Sequence, residues 1–249
     1  DIHFYSPIYD SIIQKIDFHQ EKIELFNFNN IINIDAIIHL AAQPSVPVSI
    51  NNFCDSSSSN ILGAIKVIDH CRLHDIPLVY ASSSALYGNL ELGDDIVDTV
   101  DLLSPYAADK YVMELYAKVA NQLYKLSSVG LRFYNVYGPG QQLYRIISRT
   151  ILYILLGKKL ELHGGGASLR SFIHIDDVCD ATLKIMLNGK NGDTYHISTD
   201  EIVSIRQLVE TICEKLGVRF EDHVKIAGDR LGKDAAYRLD SKKLRDLLN

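Results

Sequence analysis

Glycine is missing from the first part of this 249-residue chain: the sequence contains 15 glycines, and the first of them is Gly63. A backbone loop that closes around a phosphate group relies on glycine, because a side chain blocks the close approach and because glycine tolerates a positive φ. The residues ahead of Gly63 therefore contain no glycine-rich phosphate-binding loop.

Other features that the sequence lacks argue against several classes of protein. The balance of 25 Lys and Arg against 31 Asp and Glu gives a net charge of −6, which argues against general affinity for nucleic acids. No apolar run reaches the roughly 18 residues of a membrane-spanning helix. No His, Cys, Asp or Glu spacing indicates a metal site. The cysteines lack CxxC spacing, so we expect reduced thiols in a cytoplasmic protein at Cys54, Cys71, Cys179 and Cys213.

The order of apolar segments predicts an α/β fold. Short apolar runs alternate with longer amphipathic stretches, which is typical of a parallel sheet with helices on both faces. The expected strands of the first half cover residues 34–42, 78–84 and 127–138, and the expected helices cover 59–74 and 104–126. Ahead of them lie a partial helix-like stretch at 8–16 and one strand candidate at 22–28.

The second half has a more mixed pattern, which we interpret as a smaller α/β domain. Ser204 and Gln207 have the spacing of a capping box, which predicts a helix that runs to about Leu216. Further helices are expected at 145–156, 176–186 and 240–249, and strands at 171–175 and 194–198. We expect residues 1–137 to form the first domain and 138–249 mainly the second, with about 171–198 returning to the first.

One set of polar residues indicates chemistry. Ser82, Ser83 and Ser84 lie at the end of a predicted strand, and Tyr106 and Lys110 lie four residues apart on a predicted helix, hence on one face. A lysine ammonium near a phenol favours the phenolate and lowers the pKa of the tyrosine. Tyr106 is therefore a candidate general acid and base, and a serine hydroxyl at the strand end can bind the same substrate oxygen. The alternative is that Tyr106 and Lys110 are ordinary helix residues, since a YxxxK pattern alone is weak.

Seven segments along nearly the whole chain carry a more specific signal: HLAAQPSVPVS (39–49), NILG (60–63), YASSSALYG (80–88), SPYAADK (104–110), LRFYNVYGPGQ (131–141), GGGASLRSFIHIDD (164–177) and DRLGKD (229–234). In this order they resemble the extended short-chain dehydrogenase/reductase family, in particular its NAD-dependent nucleotide-sugar epimerases and dehydratases. The resemblance implies a Rossmann-type doubly wound parallel sheet, a smaller C-terminal substrate-binding domain, and NAD as the cofactor.

The resemblance also implies catalytic and cofactor-binding residues. Tyr106 would be the catalytic acid and base, Lys110 would hold the nicotinamide ribose, and Ser83, four residues before Tyr87, would be the catalytic hydroxyl. For Asn60 a helix cap is an equally good local role, and for the two aromatic residues core packing is the alternative. The full cofactor-binding set would be His39, Leu40, Ala41, Ala42, Asn60, Tyr80, Tyr106, Lys110 and Phe133.

The substrate side is indicated by arginines in an otherwise acidic chain. Guanidinium groups bind phosphate oxygens well, so arginines in loops suit a nucleotide diphosphate. By resemblance, Arg170 and Arg230 would clamp the diphosphate, and Asn135 would contact the sugar or its phosphates. For any one arginine alone, a solvated surface position is the alternative. The expected substrate-binding set is Ser84, Asn135, Arg145, Arg170 and Arg230.

The reaction implied is a transient oxidation of the sugar at C4. Tyr106 as a phenolate takes the proton of the 4-hydroxyl while hydride leaves C4 for NAD⁺. The 4-keto sugar is then reduced on its other face by an epimerase, or loses water across C5–C6 in a 4,6-dehydratase. By resemblance, dehydratases carry an Asp–Glu pair directly after the catalytic hydroxyl, where this chain has Ser84 and Ala85. We therefore predict a nucleotide-sugar 4-epimerase.

Two alternatives stay open. Residues 138–150 and 229–245 resemble the dehydratase branch, so a 4,6-dehydratase or another NAD-dependent sugar-nucleotide oxidoreductase is the first alternative. A non-catalytic NAD-binding protein is the second, although the intact Ser83, Tyr106 and Lys110 set counts against it. The resemblance also implies a homodimer, formed through the helices that contain Tyr106 and follow Asn60.

The missing glycines lead to one further expectation. A dinucleotide-binding unit begins with a strand, a glycine-rich loop and a helix whose N-terminus holds the pyrophosphate. Nothing ahead of Ile34 has this pattern, and Asn27 matches the family position near the adenine only weakly. Because every later motif is intact, we expect that the first βαβ portion is absent from these residues rather than that the cofactor chemistry is lost.

Overall fold

The computed structural model describes residues 15–31, 33–90, 92–93, 99–228 and 238–248. The strands in this part of the chain are β1 Ile37–His39, β2 Leu78–Ala81, β3 Leu92–Gly93, β4 Ser128–Phe133, β5 Asn135–Tyr137, β6 Leu160–His163, β7 Leu169–Arg170, β8 Phe172–His174, β9 Thr194–Ile197, β10 Val203–Ser204, β11 Val224–Ala227 and β12 Arg238–Leu239. The helices are α1 Val46–Asn51, α2 Phe53–Ser57, α3 Gly63–His74, α4 Pro105–Tyr124, α5 Ile146–Leu155, α6 Ile175–Asn188, α7 Ile205–Lys215, α8 Phe220–His223 and α9 Lys242–Leu248.

Four parallel strands form the central sheet, in the spatial order β1, β2, β4, β9. The register places Leu131 of β4 opposite Ala81 of β2 and Tyr195 of β9. Both β2 and β4 are buried almost throughout, as apolar strands covered on both faces must be. Because the strands are parallel, their carboxyl ends meet at one edge of the sheet, where ligands of open α/β sheets bind.

Helices cover both faces of this sheet. On one face α3 and α4 contribute to a hydrophobic cluster with the sheet, and on the other face α6 and α9 contribute to a second cluster. Successive residues of β2 alternate between them, with Leu78 and Tyr80 in the first cluster and Val79 in the second. The predicted doubly wound α/β fold is confirmed. A third cluster lies within the C-terminal part of the chain, between α5, β6, α7 and β11.

Two predicted strands differ from the structure. The strand expected at 22–28 is wrong, because the amides of Leu25 and Phe26 donate to the carbonyl of Lys22 at 2.9 and 3.0 Å and close a turn. Lys66 then binds the carbonyls of Glu24 and Phe26, which a strand would offer to a neighbour. The strand expected at 127–138 is two strands, β4 and β5, which pair in different sheets. Residues 8–14 of the helix-like stretch lie outside the described residues.

Other boundaries agree with the sequence pattern to within a few residues. Ser204 and Gln207 form the expected capping box at the start of α7, with bonds of 3.0 and 2.8 Å. The helix expected at 59–74 begins instead with a π-helical turn at Ser58–Leu62, followed by α3. A 3₁₀ turn at Ser84–Tyr87 ends the segment expected as a strand at 78–84.

We predict that Gly130→Ala destabilises the central sheet. A Cβ at Gly130 would lie 2.8 Å from the Tyr80 ring and 2.9 Å from Oγ1 of Thr194, closer than normal packing allows. Overpacking of this kind costs about 1–3 kcal/mol, measurable as a lower urea midpoint. Gly228→Ala is the matched control, since no described atom lies within 4 Å of its Cβ position. Equal midpoints for the two variants would contradict the close approach at Gly130.

Candidate active site

Helix α4 begins at a well-defined residue. The Ser104 hydroxyl accepts a hydrogen bond from the amide of Ala107 at 3.2 Å, and Pro105 supplies a helical φ at the first position. The amide of Tyr106 donates to the hydroxyl of Ser49 in α1 at 3.2 Å. These bonds hold the first turn, which carries Tyr106, and Lys110 follows one turn later on the same side.

Lys110 is buried and binds the end of β2. Its ammonium group donates to the carbonyl of Ala81 at 2.6 Å, and its side chain is only 2% exposed. Burial lowers the pKa of Lys110 to about 8, although the carboxylates of Glu114 and Asp109 act in the opposite direction. Since Ala81 directly precedes Ser82, the structure brings Lys110 and the serine segment together at the carboxyl edge of the sheet.

The serine segment turns sharply after β2. Oγ of Ser83 accepts a hydrogen bond from the amide of Ala85 at 3.1 Å and caps the 3₁₀ turn. In this bond the Ser83 hydroxyl is the acceptor, so its O–H group can still donate a hydrogen bond to a substrate oxygen. Ser83 is half-buried, while Ser82 and Ser84 are buried.

The loop after β1 lies at the same edge of the sheet. His39 ends β1 and is buried, and burial together with the nearby charge of Lys110 lowers the pKa of His39 to about 4. Leu40 and Ala41 are exposed and Ala42 is half-buried. This loop is partly exposed, and its contact with a cofactor stays a prediction.

Asn60 is a brace rather than a helix cap. Its side-chain oxygen accepts from the amide of Gln43 at 2.8 Å, and its side-chain nitrogen is within 3.2 Å of the Gln43 carbonyl and of Asp109. The π-helical turn directs Asn60 inward, and such turns are frequent at functional sites. Asn60 therefore ties the loop after β1 to helix α4, one residue before Lys110.

Sequence reasoning missed the buried charges around Lys110. Asp109 accepts hydrogen bonds from the hydroxyls of Ser56 and Ser57 at 3.0 and 2.8 Å. Glu114 forms a buried ion pair with Arg132 of β4. The one sequence signal was Arg132 itself, because a charged residue in the middle of a buried strand requires a partner.

The two aromatic residues expected near the nicotinamide lie in hydrophobic clusters. Tyr80 is 5% exposed, belongs to the first cluster and packs over Gly130. Phe133 is partly buried against the second cluster. Core packing accounts for both positions, and their role toward a cofactor stays a prediction.

Only part of the expected substrate-binding set comes together. The side-chain amide of Asn135 donates to the carbonyl of Ser171 at 3.1 Å, so Asn135 lies beside the segment that carries Arg170. The Arg170 guanidinium donates to the carbonyl of Leu169 at 2.7 Å. Arg145 precedes α5 on the surface, with its guanidinium 5.6 Å from the ring centre of Tyr144. Arg230 lies outside the described residues.

The described residues fit the ribose side of a dinucleotide. The buried oxygens Oγ of Ser82 and Oε1 of Gln43 have no hydrogen-bond partner among the described residues. In the same part of the chain, the ammonium of Lys110 uses one of its three N–H groups, in the bond to Ala81. Polar atoms left unpaired at a strand edge suit the hydroxyls of a ribose, since buried polar groups require partners.

A cavity of about 510 Å³ lies beyond the ends of β4 and β9, and its lining contains none of the three catalytic candidates. The described residues contain no group of three or more His, Cys, Asp or Glu side chains arranged for a metal ion. Over the same residues, no helix combines the length and the apolar composition needed to cross a membrane.

Comparison with known proteins gives a consistent family and two activities. Residues 8–198 match the model of the NAD dependent epimerase/dehydratase family. The chain is 31% identical over 222 residues to a dTDP-glucose 4,6-dehydratase of Mycobacterium tuberculosis, covering 86% of this chain and 66% of the relative. It is similar to a dTDP-glucose 4,6-dehydratase double mutant of Streptomyces venezuelae solved with NAD, at TM-score 0.80 and 29% identity, over 86% of this chain and 66% of that one.

A 4-epimerase is at least as similar in structure. The UDP-N-acetylglucosamine 4-epimerase of Methanobrevibacter ruminantium has a TM-score of 0.86 and 28% identity, over 92% of this chain and 75% of that one. The chain spans 33% of the length of the trifunctional plant enzymes that it matches and between 63% and 68% of the length of the dehydratases. Overall similarity therefore supports both reactions.

We predict that Lys110→Met removes a pH-dependent component of stability. The pKa of Lys110 is about 8 in the folded protein and its ordinary value is 10.5, so between these values the unfolded chain binds more protons and wild-type stability rises with pH. The stability of the wild type relative to Lys110→Met should therefore increase from pH 8 to 10.5, by up to roughly 3 kcal/mol. Urea denaturation across this range measures it, with the exposed Lys118→Met as control. A constant difference would contradict the shifted pKa.

Proposed function

Because this chain belongs to the NAD dependent epimerase/dehydratase family, we propose that it catalyses the C4 epimerisation of a nucleotide-diphosphate sugar with NAD as cofactor. The observation that carries the proposal is the bond from Lys110 to the carbonyl of Ala81. It joins the helix of Tyr106 to the segment of Ser83 at the ligand-binding edge of the sheet.

In this mechanism the side chains of the protein transfer the proton of the sugar 4-hydroxyl and hydrogen-bond to its oxygen, O4. Ser83 donates a hydrogen bond to the sugar O4, and Tyr106 as a phenolate accepts the O4 proton. The ammonium of Lys110, one helical turn away, favours the phenolate by its charge. NAD⁺, when bound beside Lys110, would supply the chemistry of accepting the C4 hydride and giving it back. After the sugar turns over in the site, Tyr106 gives the proton back to O4 and the product differs at C4.

The serine turn favours epimerisation over dehydration. Loss of water across C5–C6 requires a base at C5 and an acid at the leaving hydroxyl. The residues directly after Ser83 are Ser84, which is buried, and Ala85, and neither supplies a carboxylate. The 4,6-dehydratase reaction remains the second candidate, because curated relatives at 30–31% identity are dTDP-glucose 4,6-dehydratases.

We predict that the protein, supplied with NAD⁺, converts a UDP-, dTDP- or GDP-sugar to its C4 epimer. The physical reason is that the turn after Ser83 lacks the acid and base for elimination. Proton NMR of the reaction distinguishes the two outcomes, since dehydration gives a 4-keto-6-deoxy sugar with a new methyl signal. That methyl signal as the main product would overturn the epimerase assignment.

Tyr106→Phe is the control for this assay. It removes the proton acceptor but keeps the ring, so turnover should fall by at least about 10³-fold while the thermal midpoint stays close to that of the wild type. Tyr116→Phe, at an exposed position of the same helix, should keep full activity. Full activity of Tyr106→Phe would contradict the mechanism.

We propose further that the protein is a homodimer. The sequence left open whether the apolar residues of α4 face the core or a partner. Leu115, Tyr116, Val119 and Leu123 are between 42% and 68% exposed, and they lie on one side of the helix. An apolar helix face of this kind suits a second copy of the chain that presents the same face across a two-fold axis.

We predict that the double variant Val119→Glu, Leu123→Glu is a monomer. Two charges at the centre of an apolar interface cannot be paired across a two-fold axis, so association is lost. Sedimentation velocity measures the mass of both forms. Leu187→Glu, at a position of α6 that is 74% exposed, is the control and should not change the mass. An unchanged mass for the α4 variant would place the interface elsewhere.

A further inference from the structure

Arg132 contacts the helix that carries Lys110 and the turn that follows Ser83. Its Nε donates to Oε1 of Glu114 at 2.8 Å, and Nη2 donates to the second carboxylate oxygen. Its Nη1 donates to the hydroxyl of Tyr87. Glu114 lies four residues after Lys110, and Tyr87 lies four residues after Ser83. The guanidinium group of Arg132 therefore connects the helix that carries Lys110 to the turn that follows Ser83.

The connection is buried and its hydrogen-bond directions are determined. Tyr87 and His196 are fully buried, and Nε2 of His196 lies 2.5 Å from the Tyr87 hydroxyl. Nδ1 of His196 lies 2.8 Å from the carbonyl of Asp240, which can only accept, so Nδ1 carries the proton and Nε2 is the acceptor. The Tyr87 hydroxyl thus donates to His196 and accepts from Arg132, and these two bonds hold it in place.

Burial and the nearby charge of Arg132 keep this arrangement intact near neutral pH. They lower the pKa of His196 to about 4, so the ring is neutral and Nε2 remains an acceptor. Lys243 also acts against protonation, whereas the carbonyl and carboxylate of Asp240 favour it. Arg132 itself belongs to β4, and the register of β4 with β9 places Arg132 opposite His196.

We propose that Arg132 and Tyr87 are positioning residues that hold Ser83 in register with Tyr106 and Lys110. This inference rests on the proposed function, in which Ser83 and Tyr106 bind the same oxygen. Arginine suits the role because its planar guanidinium donates two N–H groups to a carboxylate and a further N–H group to a third oxygen. An ammonium group cannot do this in a fixed geometry.

The test is a double-mutant cycle in the full chain with Tyr87→Phe and Ser83→Ala. If Tyr87 acts through Ser83, Tyr87→Phe should lower kcat by roughly tenfold to a hundredfold in the wild type, with KM within about twofold. In the Ser83→Ala background, the same change should have almost no further effect, because the group to be positioned is gone. Fully additive losses would overturn the proposal.

A matched control separates positioning from general stability. Tyr195→Phe removes another buried hydroxyl of the central sheet, which accepts a hydrogen bond from the amide of Lys190 at 2.8 Å. Its thermal midpoint should fall as for Tyr87→Phe, but its kcat should stay at the wild-type value. A similar loss of kcat in both variants would mean that Tyr87 acts only through the stability of the sheet.

Hydrogen exchange gives a readout that needs neither cofactor nor turnover. In Tyr87→Phe, the Ala85 amide that binds Ser83 should exchange faster than in the wild type, while the amides in the middle of α4 keep their protection. Unchanged exchange at Ala85 would overturn the proposal. If Ser83→Ala keeps full activity, the proposed function fails instead, and the exchange result still decides whether Tyr87 holds the turn.

Discussion

Helix α4 carries three ionisable side chains on its buried face, and the candidate catalytic centre depends on how their charges are compensated. Asp109 is held by neutral donors, Glu114 by the guanidinium of Arg132, and Lys110 by a carbonyl at the end of β2. A buried charge requires a partner, and the partners of these three side chains come from different elements. The electrostatic requirement of one helix therefore fixes the positions of α2, the π-helical turn, β2 and β4 around it.

The same compensation explains why the site is at the carboxyl edge of the sheet. Lys110 reaches the carbonyl where β2 ends, and Asn60 reaches the backbone of Gln43 just after β1. The buried oxygens Oγ of Ser82 and Oε1 of Gln43, which have no hydrogen-bond partner among the described residues, belong to these same two segments.

The overall similarity of the chain identifies its family, whereas the residues next to Ser83 bear on the reaction that we propose. Identities near 30% to dehydratases and to a 4-epimerase establish the scaffold. In the proposed mechanism both reactions begin with the same oxidation at C4, and both would use Ser83, Tyr106 and Lys110. The reactions diverge only at the acid and base that act on C5 and C6. A difference confined to the two residues after Ser83 therefore has more weight for the reaction than the similarity of the whole chain.

Local signals determined much of the fold: the capping box at Ser204, the Ser104–Pro105 start of α4 and the apolar runs of β2 and β4 act between residues that are close in sequence. The spacing of Tyr106 and Lys110 likewise follows from the helix repeat. Only the tertiary structure decided that Lys66 binds the carbonyls of the turn at residues 22–26, that the outer face of α4 is exposed, and that Arg132 bridges Glu114 and Tyr87. These outcomes depend on whether a distant part of the chain supplies a partner for a carbonyl, an apolar face or a buried charge, and local sequence patterns do not encode that partner.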